Sequence, residues 1–172
     1  MPKIIQNIRR QLLDEAKRQI TTHGYARTTI RSVASACGLG VGTVYNYFPS
    51  KDMLIASFML EDWQACLAQM QGYVGNKKDV LRRVYDLLNA YMVSHNALFQ
   101  DKDASKAFSA SLAQRHKQLR SSLAQACAPV CINCEESKRE FMSEFIAEAL
   151  LTWCLAGKTF EEIYAIVGVL IE

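Results

Sequence analysis

Proline and glycine are scarce in this chain, with three and eight among 172 residues. Scarcity of both, beside many Ala, Leu, Gln and Lys, points to an all-α protein. No uninterrupted apolar run approaches the roughly 18–20 residues of a membrane-spanning helix, so no membrane partner is expected. The opening Met-Pro-Lys-Ile-Ile-Gln-Asn lacks the apolar core and small-residue cleavage site of a secretory signal. A cytoplasmic location is therefore expected, with the six cysteines reduced. There is no internal repeat, heptad array or low-complexity segment. Charged residues make up 22% and apolar residues 50%, a balance that excludes a disordered chain.

The net charge of +3 is small but uneven. Residues 1–52 carry eight lysines and arginines against three acids, a net of +5, and the remaining 120 residues carry a net of −2. A basic end on a mildly acidic body suits a polyanion-binding module joined to a neutral scaffold.

What is present in that basic end is a run of short apolar-periodic segments. Ile5, Ile8, Leu12, Ala16 and Ile20 recur at three- or four-residue spacing and predict a helix over Ile4–Thr22, ended by His23-Gly24. Thr29 is the expected N-cap of a second helix with Ile30, Val33, Ala34 and Cys37 as its buried face. Gly38 is the expected turn residue with positive φ, and Leu39 an apolar plug behind it. Small Ala34 lets the next helix cross closely. The third helix, Gly40–Tyr47, buries Val44 and Phe48 and turns Val41, Gly42, Thr43, Tyr45, Asn46 and Tyr47 wholly or partly outward. Hydroxyls and an amide on so short a helix make a poor core and a good reading edge for base edges and phosphates, with Val41 suited to a thymine methyl. Pro49-Ser50 stops it, and Ser50 with Asp52 starts another helix, where Lys51 sits at an N-terminus that favours anions. The whole is the pattern of a helix-turn-helix.

Downstream the apolar spacing predicts helices over Met53–Met70, Lys78–His95, Ala104–Ala128, Glu140–Ala156 and Phe160–Ile171, about nine helices in all. The segment Cys127–Cys134, broken by Pro129, is expected to be a loop or kinked joint. The last helix is apolar around most of its circumference, which suits either a subunit interface or a deeply buried helix. As an interface it would use Phe145, Leu150, Trp153, Phe160, Ile163, Tyr164, Val167 and Leu170. Trp63, Tyr91, His95, Phe108 and His116 are candidates to line a small-molecule pocket, though each taken alone is more readily explained as core. Cys127, Cys131 and Cys134 form C-x3-C-x2-C, readable as a redox or metal-responsive thiol group or as small buried hydrophobes. No fourth metal ligand lies close in sequence, and no metal site or cofactor is expected. A Cys–His enzyme, pairing Cys131 with His116, is the reading from another class, and no nucleophile motif supports it; no enzymatic activity is expected.

The run Gly24-Tyr25, Thr28-Thr29-Ile30-Arg31, Val33-Ala34, Gly38-Leu39, Gly42-Thr43-Val44-Tyr45-x-Tyr47-Phe48, Ser50-Lys51-x-x-Leu54 resembles the TetR family of bacterial transcriptional regulators. The resemblance implies a three-helix DNA-binding domain over residues 1–50 and a helical ligand-binding and dimerisation domain over 51–172. It implies a homodimer formed by the last two helices, a palindromic double-stranded DNA operator, and a small-molecule effector that releases the DNA, most simply as a repressor. Carried onto matching positions, Thr43, Tyr45 and Tyr47 contact DNA, Lys51 holds phosphate, and Arg31 reaches backbone or a base. One departure stands out: Gly40 and Val41 occupy positions where the family often has a serine cap and a polar residue. Glycine is a tolerable N-cap, so the third helix should survive.

Overall fold

The computed structural model describes residues 7–171, with side-chain surroundings for residues 7–104 and 117–171. Among the described residues it is all-α: nine α-helices, one 3-10 turn and no strand. The chain divides into two compact units. The first comprises Met1–Asp62 with His95–Ser111, the second Trp63–Ser94 with Leu112–Glu172. The division by compactness falls within the fourth helix, between Asp62 and Trp63, and Leu54, Ile55 and Phe58 of that helix are buried.

The first unit holds α1 (Ile8–Arg27), α2 (Ile30–Ala36), α3 (Val41–Tyr47), the first part of α4 (Lys51–Met70), α6 (Asn96–Phe99) and the start of α7 (Lys102–Cys127). Ile4 and Ile5 lie outside the described residues; α1 begins after Asn7, whose side chain accepts from the backbone N–H of Arg10 at 3.1 Å. Its buried stripe is Leu12, Leu13, Ala16 and Ile20. Gly24 interrupts the helix with φ 80° and ψ 173° where its end was expected, and one further turn carries the chain to Arg27. That break points Tyr25 inward, where only 8% of it is exposed.

Thr29 caps α2 through a reciprocal pair: Ser32 N–H donates to Thr29 Oγ1 and Thr29 N–H donates to Ser32 Oγ, both at 3.0 Å. Serine here does what Glu or Gln does in the usual capping box. Thr29→Ala should lower stability by about 1 kcal/mol, read as a downward shift in the urea midpoint at unchanged slope. Gly38 has φ 67°, the left-handed value predicted for the turn, and Leu39 is half-buried behind it.

The second unit joins the rest of α4 to α5 (Lys77–Ser94), the remainder of α7, a 3-10 turn (Ala128–Cys131), α8 (Glu136–Leu155) and α9 (Phe160–Ile171). Its core runs from Trp63, Met70, Leu81 and Leu88 to Leu123, Ile146, Leu150, Phe160 and Val167. Asn76 caps α5 by accepting from Asp79 N–H at 2.9 Å. Thr159 caps α9: its N–H donates to Glu162 Oε2 at 2.9 Å, and Glu162 N–H returns to Thr159 Oγ1 at 3.3 Å. The Lys158 ammonium, and then this capping, hold the Glu162 carboxyl down at about 2. α8 starts four residues before the predicted Glu140, through a polar turn that apolar spacing does not mark.

Among the later helices two expectations are corrected and one, the joint at Cys127–Cys134, is met. His95 does not continue α5; it stands as the N-cap position of α6, with φ −111° and ψ 11°. The Cys127–Cys134 joint is a 3-10 turn with Pro129 in its first positions, followed by a hydrogen-bonded turn. The last helix is only half-buried: Phe160, Ile163, Val167 and Ile171 face the core while Ile166, Val169 and Leu170 are exposed.

Candidate nucleic-acid interface

The third helix is set by two anchors. Val44 is fully buried and Phe48 is 3% exposed, four residues apart on the inner face. Gly40 is the N-cap and makes no side-chain capping bond, so α3 starts on backbone alone: Thr43 N–H donates to Gly40 O at 2.9 Å. With Val44 and Phe48 held inside, the outer face follows from helical spacing. Tyr45 is 52% and Tyr47 43% exposed, Gly42 and Asn46 are exposed, and Val41 and Thr43 are half-buried. All six expected reading residues therefore lie on or beside one accessible surface.

A polar chain that sequence spacing does not reveal ties α2 to α1. Ser32 Oγ donates to Gln19 Oε1 at 2.6 Å, Gln19 Nε2 donates to Glu15 Oε1 at 2.7 Å, and Arg18 donates to both Glu15 oxygens at 2.8 and 2.7 Å. The Arg18 hydrogen bonds hold the Glu15 carboxyl below its ordinary range against the opposing effect of burial. Gln19 is 5% exposed, so its amide needs both partners. The only sequence signal was a glutamine one position off the apolar stripe.

Charge on this unit is less free than composition suggested. Arg9 pairs with Glu61, Arg10 with Asp14 and Glu61, Lys17 with Asp62 and Arg18 with Glu15. Arg27 and Arg31 are exposed and show no ion pair among the described residues. Lys51 is placed differently from expectation. Its ammonium lies 3.5 Å from the centroid of the Tyr25 ring and donates to the Tyr25 carbonyl at 3.0 Å. Burial lowers its pKa. The same tyrosine donates its hydroxyl proton to Asp52 at 2.5 Å, and burial, then that carboxylate, raise its pKa. Gly24-Tyr25 thus clamps the start of α4.

Of the pocket candidates, Trp63 and Tyr91 belong to the second unit and His95 to the first. Trp63 and Tyr91 meet edge to face in the second unit, ring centroids 5.2 Å apart. His95 lies in the first unit, buried, with Nε2 3.0 Å from Asp62 Oδ2, the same oxygen that takes the Lys17 ammonium at 2.7 Å. The side chains of Phe108 and His116 lie outside the described residues. Of the expected subunit-contact residues, Leu150, Phe160, Ile163 and Val167 belong to the protomer core and Tyr164 is half-buried, whereas Phe145, Trp153 and Leu170 are exposed, beside Phe141, Ile166 and Val169. Cys127 and Cys131 are fully buried and Cys134 half-buried, all as free thiols. Among the described residues no three His, Cys, Asp or Glu side chains are grouped to hold a metal. No described helix is long and apolar enough to cross a membrane.

Residues 12–58 match the family model for bacterial regulatory proteins, tetR family. An HTH-type transcriptional repressor of Mycobacterium tuberculosis is 31% identical over 114 residues, 62% of this chain and 61% of that protein. The HTH-type transcriptional regulator UidR of Escherichia coli is 27% identical over 66 residues, 38% of this chain and 34% of UidR. The chain thus spans less than two thirds of the length of these relatives. In fold it is similar to a transcriptional regulator from Rhodococcus sp. Rha1 (TM-score 0.66, 17% identity, 91% of this chain and 87% of that one). It is likewise similar to the TetR family repressor AlkX from a Dietzia strain (TM-score 0.65, 15% identity, 92% and 93%). The match to the tetR family of bacterial regulatory proteins thus falls on residues 12–58, the helix-turn-helix of the first unit.

Proposed function

We propose that the protein is a cytoplasmic transcriptional regulator, a repressor, that binds a palindromic operator as a homodimer through α3 and is released by a small molecule held in the second unit. The observation that carries this reading is the outer face of α3: Thr43, Tyr45, Asn46 and Tyr47 presented on a helix whose inner residues, Val44 and Phe48, are locked. Such a face is rigid enough to place hydrogen-bonding groups in a major groove. Arg27 and Arg31, exposed and outside the ion pairs of α1, supply charge for the flanking phosphates. Two turns of helix reach too few base pairs for useful specificity, which is the physical reason for a dimer with half-sites a helical turn or a multiple apart. The exposed apolar residues of α8 and α9 are its proposed contact. For the effector, the aromatic pair Trp63 and Tyr91 marks the pocket region in the second unit.

A gel-shift series on DNA flanking the gene, at rising salt, tests the DNA reading. Specific binding should weaken steeply as salt rises, because counterions released on binding must be recovered. Within that assay Lys51→Ala should weaken binding to all sequences alike and reduce the salt slope by about one, because it removes an ammonium that on binding would leave Tyr25 for a phosphate. Thr43→Ala should in addition change which sequences are preferred. Equal loss on every sequence from both variants contradicts this division of roles.

A further inference from the structure

The joint between α7 and α8 brings two thiols of unequal exposure into one tight turn. Cys131 closes the 3-10 turn, and the N–H of Cys134 donates to its carbonyl at 3.0 Å. A turn closed in this way keeps its end Cα atoms within about 7 Å, which overlaps the roughly 4.4–6.8 Å that a disulfide spans. The Cys134 side chain is near enough to Cys131 to help raise its pKa. Cys127 and Cys131 are fully buried, whereas Cys134 is half-buried and reachable from solvent.

A cation attends the turn. Arg139, in the first turns of α8, donates from Nη2 to the carbonyl of Ile132, between the two cysteines, at 3.2 Å. Its Nε is buried and has no hydrogen-bond partner. A buried donor without an acceptor is costly, so an acceptor beside this turn would be stabilised. Arg139 and Lys77 both favour the thiolate of Cys131 electrostatically, but burial outweighs them and pushes that thiol up to about 11. Cys127 is pushed higher still, to about 12, by burial. Neither buried thiol is therefore a good first nucleophile at neutral pH.

We propose that Cys131 and Cys134 form a reversible dithiol–disulfide site, oxidised by hydroperoxides, with Cys134 as the attacking and Cys131 as the resolving thiol. The Cys134 thiolate attacks a peroxide oxygen; an S–O bond forms, the O–O bond breaks, and the departing oxygen takes a proton to leave as water or alcohol. The Cys131 sulfur then attacks the Cys134 sulfenic acid; the S–S bond forms, the S–O bond breaks, and the released hydroxide takes the Cys131 proton to leave as water. The two thiols lose two electrons and the peroxide gains them. The bond tightens the turn that begins α8, the helix carrying exposed Phe141 and Phe145. Its influence on DNA rests on the function proposed above; the chemistry of the thiols does not.

The test treats the protein with hydrogen peroxide, followed by peptide mapping without reduction. A Cys131–Cys134 disulfide should form and be reversed by dithiothreitol, faster at higher pH, and several-fold more slowly in Arg139→Gln. In Cys131→Ala, Cys134 should instead accumulate as a sulfenic acid trapped by dimedone. Cys134→Ser, which changes a half-exposed position, should fold normally and form no disulfide. Absence of the bond, a crosslink through Cys127 or Cys154, or equal dimedone labelling with and without Cys131 would overturn the proposal. A gel shift on the DNA flanking the gene then compares reduced and oxidised protein. A change in affinity that Cys134→Ser abolishes supports regulation, and a disulfide that leaves binding unchanged removes that role. Failure of reduced protein to bind DNA at all strikes the proposed function and leaves the thiol result standing.

Discussion

Phe48→Ala should destabilise the first unit by about 3–5 kcal/mol and abolish DNA binding, while leaving the second unit nearly untouched. Phe48 is 3% exposed, closes α3 through its N–H to Val44 O at 2.9 Å, and has the Arg9 guanidinium 5.7 Å from its ring centroid. Truncation removes the anchor at one end of a helix only seven residues long. A helix of two turns has little stability of its own, so its position depends on that packing. The loss is a large fraction of the roughly 5–15 kcal/mol that holds a typical domain together. Both tryptophans, Trp63 and Trp153, lie in the second unit. Urea unfolding followed by tryptophan fluorescence should therefore stay near the wild-type midpoint, while far-ultraviolet circular dichroism acquires an earlier phase. Equal shifts by both probes would show that the first unit has no stability of its own. Tyr47→Ala, one residue earlier but exposed, should do the reverse: little change in unfolding and a marked loss of DNA affinity.

The paired change Ile166→Glu and Val169→Glu should yield a folded monomer whose operator affinity falls by about a hundredfold or more, the factor lost when two linked readers become one. Both side chains point out of the protomer, 69% and 74% exposed, so carboxylates there stay solvated in the monomer. In a dimer joined through this face they would be buried without partners, at a cost far above that of the apolar contacts removed. Sedimentation velocity reads the oligomeric state, and circular dichroism confirms that the helices remain. A double variant that still sediments as a dimer would rule out the outer face of α9 as the subunit contact.

Much of the first unit was legible before any coordinates, because its determinants are local. The positive φ at Gly38 and the capping hydroxyl of Thr29 follow from backbone sterics and unsatisfied N–H groups. The burial of Val44 and Phe48, and with it the outward set from Val41 to Tyr47, follows from a four-residue spacing. The residues whose partners are distant in sequence were not legible. Lys51 at a helix start could face a phosphate or turn back on Tyr25, and packing places it on the ring. His95 fits the period of α5, yet Asp62, thirty-three residues earlier, takes its ring into the first unit. The last helix is apolar on nearly every side, so composition names no inner face. Only packing against α5 and α8 decides that Phe160, Ile163 and Val167 go in and Ile166, Val169 and Leu170 stay out. The chain by itself therefore determined that there is a helix-turn-helix and which residues it presents. Tertiary structure decided which charges are engaged, where His95 lies and which face of α9 stays exposed, because each depends on contacts between segments that no local spacing encodes.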